Sequence, residues 1–174
     1  LSTVVGINAG LNEDKTSARY NAIYGCGSGR DIATGLANSY FGGRSGLYST
    51  GSYCTGVGYE ALFGTIGNNC TAVGARAGGQ SGKSVAGAVY YGYYAGYYES
   101  GSNKLFIDNQ SRTNEATART SSMIYGEFNS TVNLQKIYLN ASTYTNDLNV
   151  NGTTRLGTLN GLILGTIGEL SAVS

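Results

Sequence analysis

The chain has 174 residues, a formal net charge of +1 and only 12% charged residues, with 28 Gly and 15 Tyr but no Pro, His or Trp. Collagen is excluded because the glycines lack a three-residue period, and disorder is opposed by low charge and abundant β-branched and aromatic residues. The charge balance gives no reason to expect nucleic acid or an anionic membrane as partner, no run of ~18 apolar residues marks a membrane-spanning helix, and without His there is no Ser-His-Asp or Cys-His device.

In chain order the first feature is a repeat. TVVGINAG at 3–10, NAIYGCGS at 21–28, SYFGGRSG at 39–46, TGVGYEAL at 55–62, TAVGARAG at 71–78 and VYYGYYAG at 89–96 align as six units. The fourth position reads Gly6, Tyr24, Gly42, Gly58, Gly74 and Gly92, at spacings of 18, 18, 16, 16 and 18. The third is always large and apolar (Val5, Ile23, Phe41, Val57, Val73, Tyr91), and the seventh always small (Ala9, Gly27, Ser45, Ala61, Ala77, Ala95). Self-similarity at a fixed period is the signature of a stacked repeat.

Each unit predicts a β-forming segment that ends at Gly, then a small-residue segment and a polar turn. Two strands of about five residues and two turns make a narrow coil, and coils stack at ~4.8 Å. The small seventh column requires a thin coil. The third column reads as its core, with Tyr91 buried there. The second column (Val4, Ala22, Tyr40, Gly56, Ala72, Tyr90) is also mostly apolar, and neighbouring strand positions face opposite ways. Both faces therefore need burial, which one chain does not supply, so an obligate oligomer is expected.

The TAVGxxAG pattern with GNN-type turns resembles the left-handed β-roll repeats in the heads of trimeric autotransporter adhesins, and similar repeats occur in bacteriophage tail fibres. The resemblance covers residues 2–100, and Tyr24 and Leu62 depart from its glycine columns. It implies a homotrimer. The fold class expected is all-β: a trimeric stacked β-roll (β-solenoid) of 16–18-residue coils followed by a β-prism-like or intertwined β stalk.

After Gly96 the pattern changes. NKLFIDN at 103–109, MIYGEF at 123–128 and VNLQKIYLN at 132–140 read as strands, separated by the polar stretch 111–120. DLNVNGTTRLGTL at 147–159 alternates before an Asn-Gly turn, and LNVNGTTRLG is similar to segments near the C-terminal end of phage fibre proteins. The expected organisation is a repeat domain at 1–100, a stalk or prism at 101–160 and an apolar trimer-lining segment at 161–174. Leu1 reads as the start of a fragment or processed chain. Ser174 matches the end left when a C-terminal intramolecular chaperone of phage spikes trimerises its fibre and cuts itself off after a Ser.

Candidate chemistry is sparse. Cys54 and Cys70 share a column 16 residues apart and should be neighbours on adjacent coils, as small buried residues, a disulfide or part of a metal site; Cys26 has no evident partner. GQSGKS at 79–84 lacks the spacing of a phosphate-binding loop. The scattered carboxylates allow a glycosidase only if subunits contribute a pair. The most unusual segment is VYYGYYAGYYES at 89–100. Tyr90, Tyr93, Tyr94, Tyr97 and Tyr98 form either a cap on the last coil or a binding patch, because Tyr offers an apolar face and a polar tip. Tyr20, Tyr48, Tyr53 and Tyr59 add to a lateral aromatic surface.

These readings predict a non-enzymatic structural fibre of a phage virion, without cofactor or metal, that attaches to a host-surface glycan or protein and joins other fibre or tail proteins. The alternatives are the head of a bacterial trimeric adhesin on the cell surface, or a polysaccharide depolymerase with interface carboxylates.

Overall fold

The computed structural model describes residues 2–14, 19–80 and 82–140. Nine short strands form one sheet in chain order. β1 (Thr3–Val5), β2 (Ala22–Tyr24), β3 (Ser39–Phe41), β4 (Thr55–Val57), β5 (Thr71–Val73), β6 (Val89–Tyr91) and β7 (Lys104–Ile107) pair in parallel, each with the next. Between neighbours the chain makes one full circuit, giving a β-solenoid of about six turns. A helix, α1 (Glu115–Ser121), follows β7, and β8 (Ile124–Glu127) and β9 (Lys136–Leu139) extend the sheet antiparallel.

The pairing corrects the second unit of the repeat. Val5 pairs with Tyr24 and Tyr24 with Phe41, so Ile23 is the second-column residue and Tyr24 the third. The glycine column is Gly6, Gly25, Gly42, Gly58, Gly74 and Gly92, at intervals of 19, 17, 16, 16 and 18. Tyr24 does not interrupt it, and Ser28 takes the seventh position. These glycines have φ between +110° and +133°, and a Cβ on any of them would lie 1.9–2.7 Å from a backbone atom of the next rung. Glycine is required there both by φ and by the closeness of the next rung.

Only one regular strand of three residues appears in each of the first six rungs. The expected second strand is replaced by turns because left-handed residues recur. The sixth position is left-handed throughout (Asn8, Gly27, Arg44, Glu60, Arg76, Tyr94), and so is the eighth, where Leu62 alone is not glycine. A residue with φ near +55° curls the chain and cannot extend a strand. Rung-to-rung backbone hydrogen bonds persist through these turns, as from Gly46 N–H to the Ala61 carbonyl and from Leu62 N–H to Ala77, 2.9 and 3.0 Å.

The interior is lined by the second column, not the third. Tyr90 is 2% exposed and Tyr91 59%, so the expectation that Tyr91 is buried in the core is overturned. The coil is too thin for a large side chain on every rung, and its inner column varies in size: Ile23, Tyr40, Gly56, Ala72, Tyr90, Phe106. At Gly56 the space is taken by the Ser45 hydroxyl and the Tyr40 ring, and the buried Leu62 at the eighth position packs its methyl group beside Gly78. Close packing is thus kept by compensation across the coil.

The residue before each of β2 to β6 (Asn21, Asn38, Cys54, Cys70, Ala88) is also buried, and there polar groups satisfy the irregular far wall. Asn38 Nδ2 donates to the Gly51 carbonyl (2.9 Å), and its Oδ1 accepts from the Cys54 N–H (2.8 Å). Asn21 does the same with Gly35 and the Asn38 N–H. Cys54 and Cys70 continue this column as free, buried thiols, with Sγ donating to Gly67 (3.4 Å) and Val85 (3.1 Å) carbonyls. They stand in for asparagine as donors, since buried carbonyls need partners. The neighbouring Cys70 side chain and then burial push the Cys54 thiol well above the usual range. Cys26 is exposed and free.

The Tyr-rich rung is followed by a further parallel rung, β7, and α1 packs beside it. Asn114 caps this helix, its side chain accepting from the Thr117 N–H while Thr117 returns a bond to the cap. Arg119 reaches from α1 to Glu99, whose side chain is 0% exposed, with contacts of 2.8 and 2.5 Å. Among the described residues no helix is long and apolar enough to cross a membrane. LNVNGTTRLG, the segment 161–174 and Ser174 lie outside the described residues.

Candidate binding surface

Two lateral features follow from the rung geometry. The first is the third column, which faces outward. Val5, Tyr24, Phe41, Val57, Val73, Tyr91 and Ile107 stack over seven rungs without a charged residue. Val5, Phe41, Val57 and Tyr91 are exposed large apolar residues. Tyr24 and Phe41 stack at 4.9 Å with rings 7° apart. At ~4.8 Å per rung this stripe is about 29 Å long.

The second feature lies just past the glycine column, at the fifth and sixth positions. Arg44, Glu60 and Arg76 occupy the sixth position of three successive rungs. Glu60 is held between them, Oε1 at 2.5 Å from Arg44 and Oε2 at 2.7 Å from Arg76. Arg76 also donates to the Tyr94 hydroxyl and lies over the Tyr94 ring, 5.3 Å from its centroid. Hydrogen bonds to Tyr94 and Glu60 hold the Arg76 guanidinium above its already high range. At the fifth position Tyr59, Ala75 and Tyr93 succeed one another. A cavity of about 190 Å³ opens there, lined by Tyr59, Ala75, Arg76, Tyr93 and Tyr94.

The five tyrosines singled out in the sequence separate. Tyr90 is interior, and burial pushes its hydroxyl well above the usual range, so it cannot meet a ligand at the surface. Tyr93 is 46% exposed, and Tyr94, Tyr97 and Tyr98 are half-buried. The four form a chain of ring contacts at 4.6, 4.9 and 5.0 Å. This one segment thus packs against itself and also presents faces outward. Of the other tyrosines, Tyr59, 47% exposed, joins the cavity, whereas Tyr48 pairs with Arg30 and packs edge-on to Phe63. Tyr20 and Tyr53 are exposed just before their strands.

No protein-family model matches the chain, and no curated protein or solved structure matches it. The functional reading rests on the residues themselves. Sequence reasoning missed Arg44, Glu60, Ala75 and Arg76 as a group. The signal was present in the alignment, where the fifth and sixth positions of four successive units read Gly-Arg, Tyr-Glu, Ala-Arg and Tyr-Tyr.

Among the described residues the carboxylates show no site of their own. Glu13 accepts from Ser2 and Asn21, and each of the other acids among the described residues is tied to an Arg or Lys. No group of three or more His, Cys, Asp or Glu suited to a metal occurs among the described residues.

Proposed function

We propose that the chain is a structural segment of a homotrimeric phage fibre that attaches the virion to a host-cell surface. The observation that carries this reading is the third-column stripe. Seven apolar residues in register, with no charge among them, form a sheet face that a lone chain leaves in water, and exposed apolar area of this kind marks an interaction surface. Three copies packed about a common axis would bury it on each. A parallel stack with rungs at ~4.8 Å also suits a shaft that transmits load along its length, since each rung bonds only to its neighbours. The resemblance of the TAVGxxAG units to fibre and adhesin repeats supports the same reading, and so does an outer surface that carries tyrosines beside arginines.

The trimer is tested by sedimentation equilibrium. The expected mass is about three times the 18.1 kDa of the chain, and Val57→Asp is expected to shift it to monomer, because an unpaired carboxylate in an apolar interface costs several kcal/mol. A wild-type monomer would remove the basis for a fibre. Attachment is tested with fluorescently labelled protein on candidate host cells. The double variant Tyr93→Ala/Tyr94→Ala is expected to keep the wild-type mass and lose about tenfold in cell binding, the loss of one good aromatic contact region.

A further inference from the structure

Resting on the reading of this stack as an attachment surface, we infer that the slot over Ala75 binds one pyranose ring of a host glycan, and that Arg76 holds a carboxylate on that sugar. The slot is a consequence of the repeat. Tyr59 and Tyr93 occupy the fifth position on the rungs either side of Ala75, so one missing side chain leaves a gap between two half-exposed rings.

The walls of the gap suit a saturated ring. Two rungs at ~4.8 Å separate the attachment points of the tyrosines by about 9.6 Å. The Tyr59 ring leans away from Ala75, beside Gly43, with its hydroxyl accepting from Arg44 (3.2 Å), and the Tyr93 ring meets Tyr94 at 65°. The opening is therefore wider than a slot between parallel rings, and a puckered saturated ring with substituents above and below its mean plane fills it, its C–H groups against the apolar faces of tyrosine.

The charge selects the sugar's substituent. Two arginines around one glutamate leave a net positive charge along Arg44, Glu60 and Arg76. Arg76 uses Nε on Glu60 and Nη1 on the Tyr94 hydroxyl, and among the described residues Nη2 has no acceptor. The Tyr94 hydroxyl accepts from Arg76 and keeps its own proton to donate. A guanidinium nitrogen and a phenol proton at one edge of the cavity form a receptor for one carboxylate, so a uronic-acid type pyranose fits better than a neutral one.

The test uses the whole chain and the methyl glycosides of glucuronic and galacturonic acid, with methyl glucoside and methyl galactoside as neutral counterparts, by saturation-transfer NMR and calorimetry. Uronides are expected to bind about tenfold more tightly than the neutral sugars, the worth of one charge-assisted hydrogen bond. Ala75→Leu fills the slot and should abolish binding of both. That substitution suits the fold, because the same position carries tyrosine on both neighbouring rungs, and an unchanged unfolding midpoint checks this. Arg76→Gln should erase the preference for uronides while neutral sugars bind as before, and Tyr53→Ala should change nothing. Absence of uronide binding by the wild-type chain, undiminished binding by Ala75→Leu, or a uronide preference surviving in Arg76→Gln each overturns the inference. Cell attachment separates the two readings. Attachment that persists without uronide binding sinks the slot alone, and uronide binding without attachment to any candidate host sinks the attachment role alone.

Discussion

Replacing Gly58 by alanine is expected to destabilise the solenoid by about 3–5 kcal/mol, at the upper end of single-substitution effects. Gly58 has φ +129°, a conformation that a Cβ disfavours, and the added carbon would lie 2.7 Å from the Gly74 carbonyl carbon and oxygen. Those are backbone atoms, so no rotamer relieves the contact. The rungs must part locally, which also weakens the bond from Gly74 N–H to the Val57 carbonyl, now 2.8 Å. Because domains are typically stable by only 5–15 kcal/mol, a large share of the folded population is at risk. Urea unfolding followed by circular dichroism measures the loss. A midpoint close to wild type would mean that the rungs are not as close as the structure has them.

Arg119→Ala is the second large effect, expected to cost about 3–5 kcal/mol. Glu99 sits at the end of the Tyr-rich rung with its side chain fully enclosed, held by Arg119 at 2.8 and 2.5 Å and by the Gly101 N–H at 2.6 Å. Removing the guanidinium leaves a buried carboxylate without its counter-charge and detaches from the stack the helix α1, which buries only Ala118 among its own residues. The double variant Glu99→Gln/Arg119→Ala should recover part of the loss, because an amide is cheaper to bury than an unpaired charge. If Arg119→Ala alone cost under ~1 kcal/mol, as exposed pairs do, the pair would have no anchoring role and α1 would be held otherwise.

The polar stretch 111–120 concealed this anchor. It was legible as a helix only through Asn114, Glu115 and Thr117, a capping pattern with an acidic first turn. Seven residues with one buried alanine leave almost no apolar period to detect. Arg119 and Glu99 are twenty residues apart, and nothing local links them.

The candidate site shows the same division. The tyrosine-rich segment 89–98 stands out in composition, and Tyr93 and Tyr94 do reach the surface. The slot they help to form depends on what is missing at Ala75 and on the arginines of neighbouring rungs. Each of those residues is unremarkable where it stands in the chain and acquires meaning only from vertical stacking.

The glycine repeat that opens the chain determined most of the architecture by itself. Parallel rungs, an all-β stack and a small seventh column follow from spacing and residue size, since a left-handed turn with a close neighbour above it admits little but glycine. The tertiary structure decided which way the strands face. A column of uniformly large apolar residues looks like a core, yet a thin coil cannot hold one on every rung. The interior therefore took the uneven column, where the Tyr40 ring and the Ser45 hydroxyl close over Gly56, and the uniform column from Val5 to Ile107 was left outside. Periodicity is local and visible in the chain, whereas the choice of face depends on the space enclosed by a whole circuit.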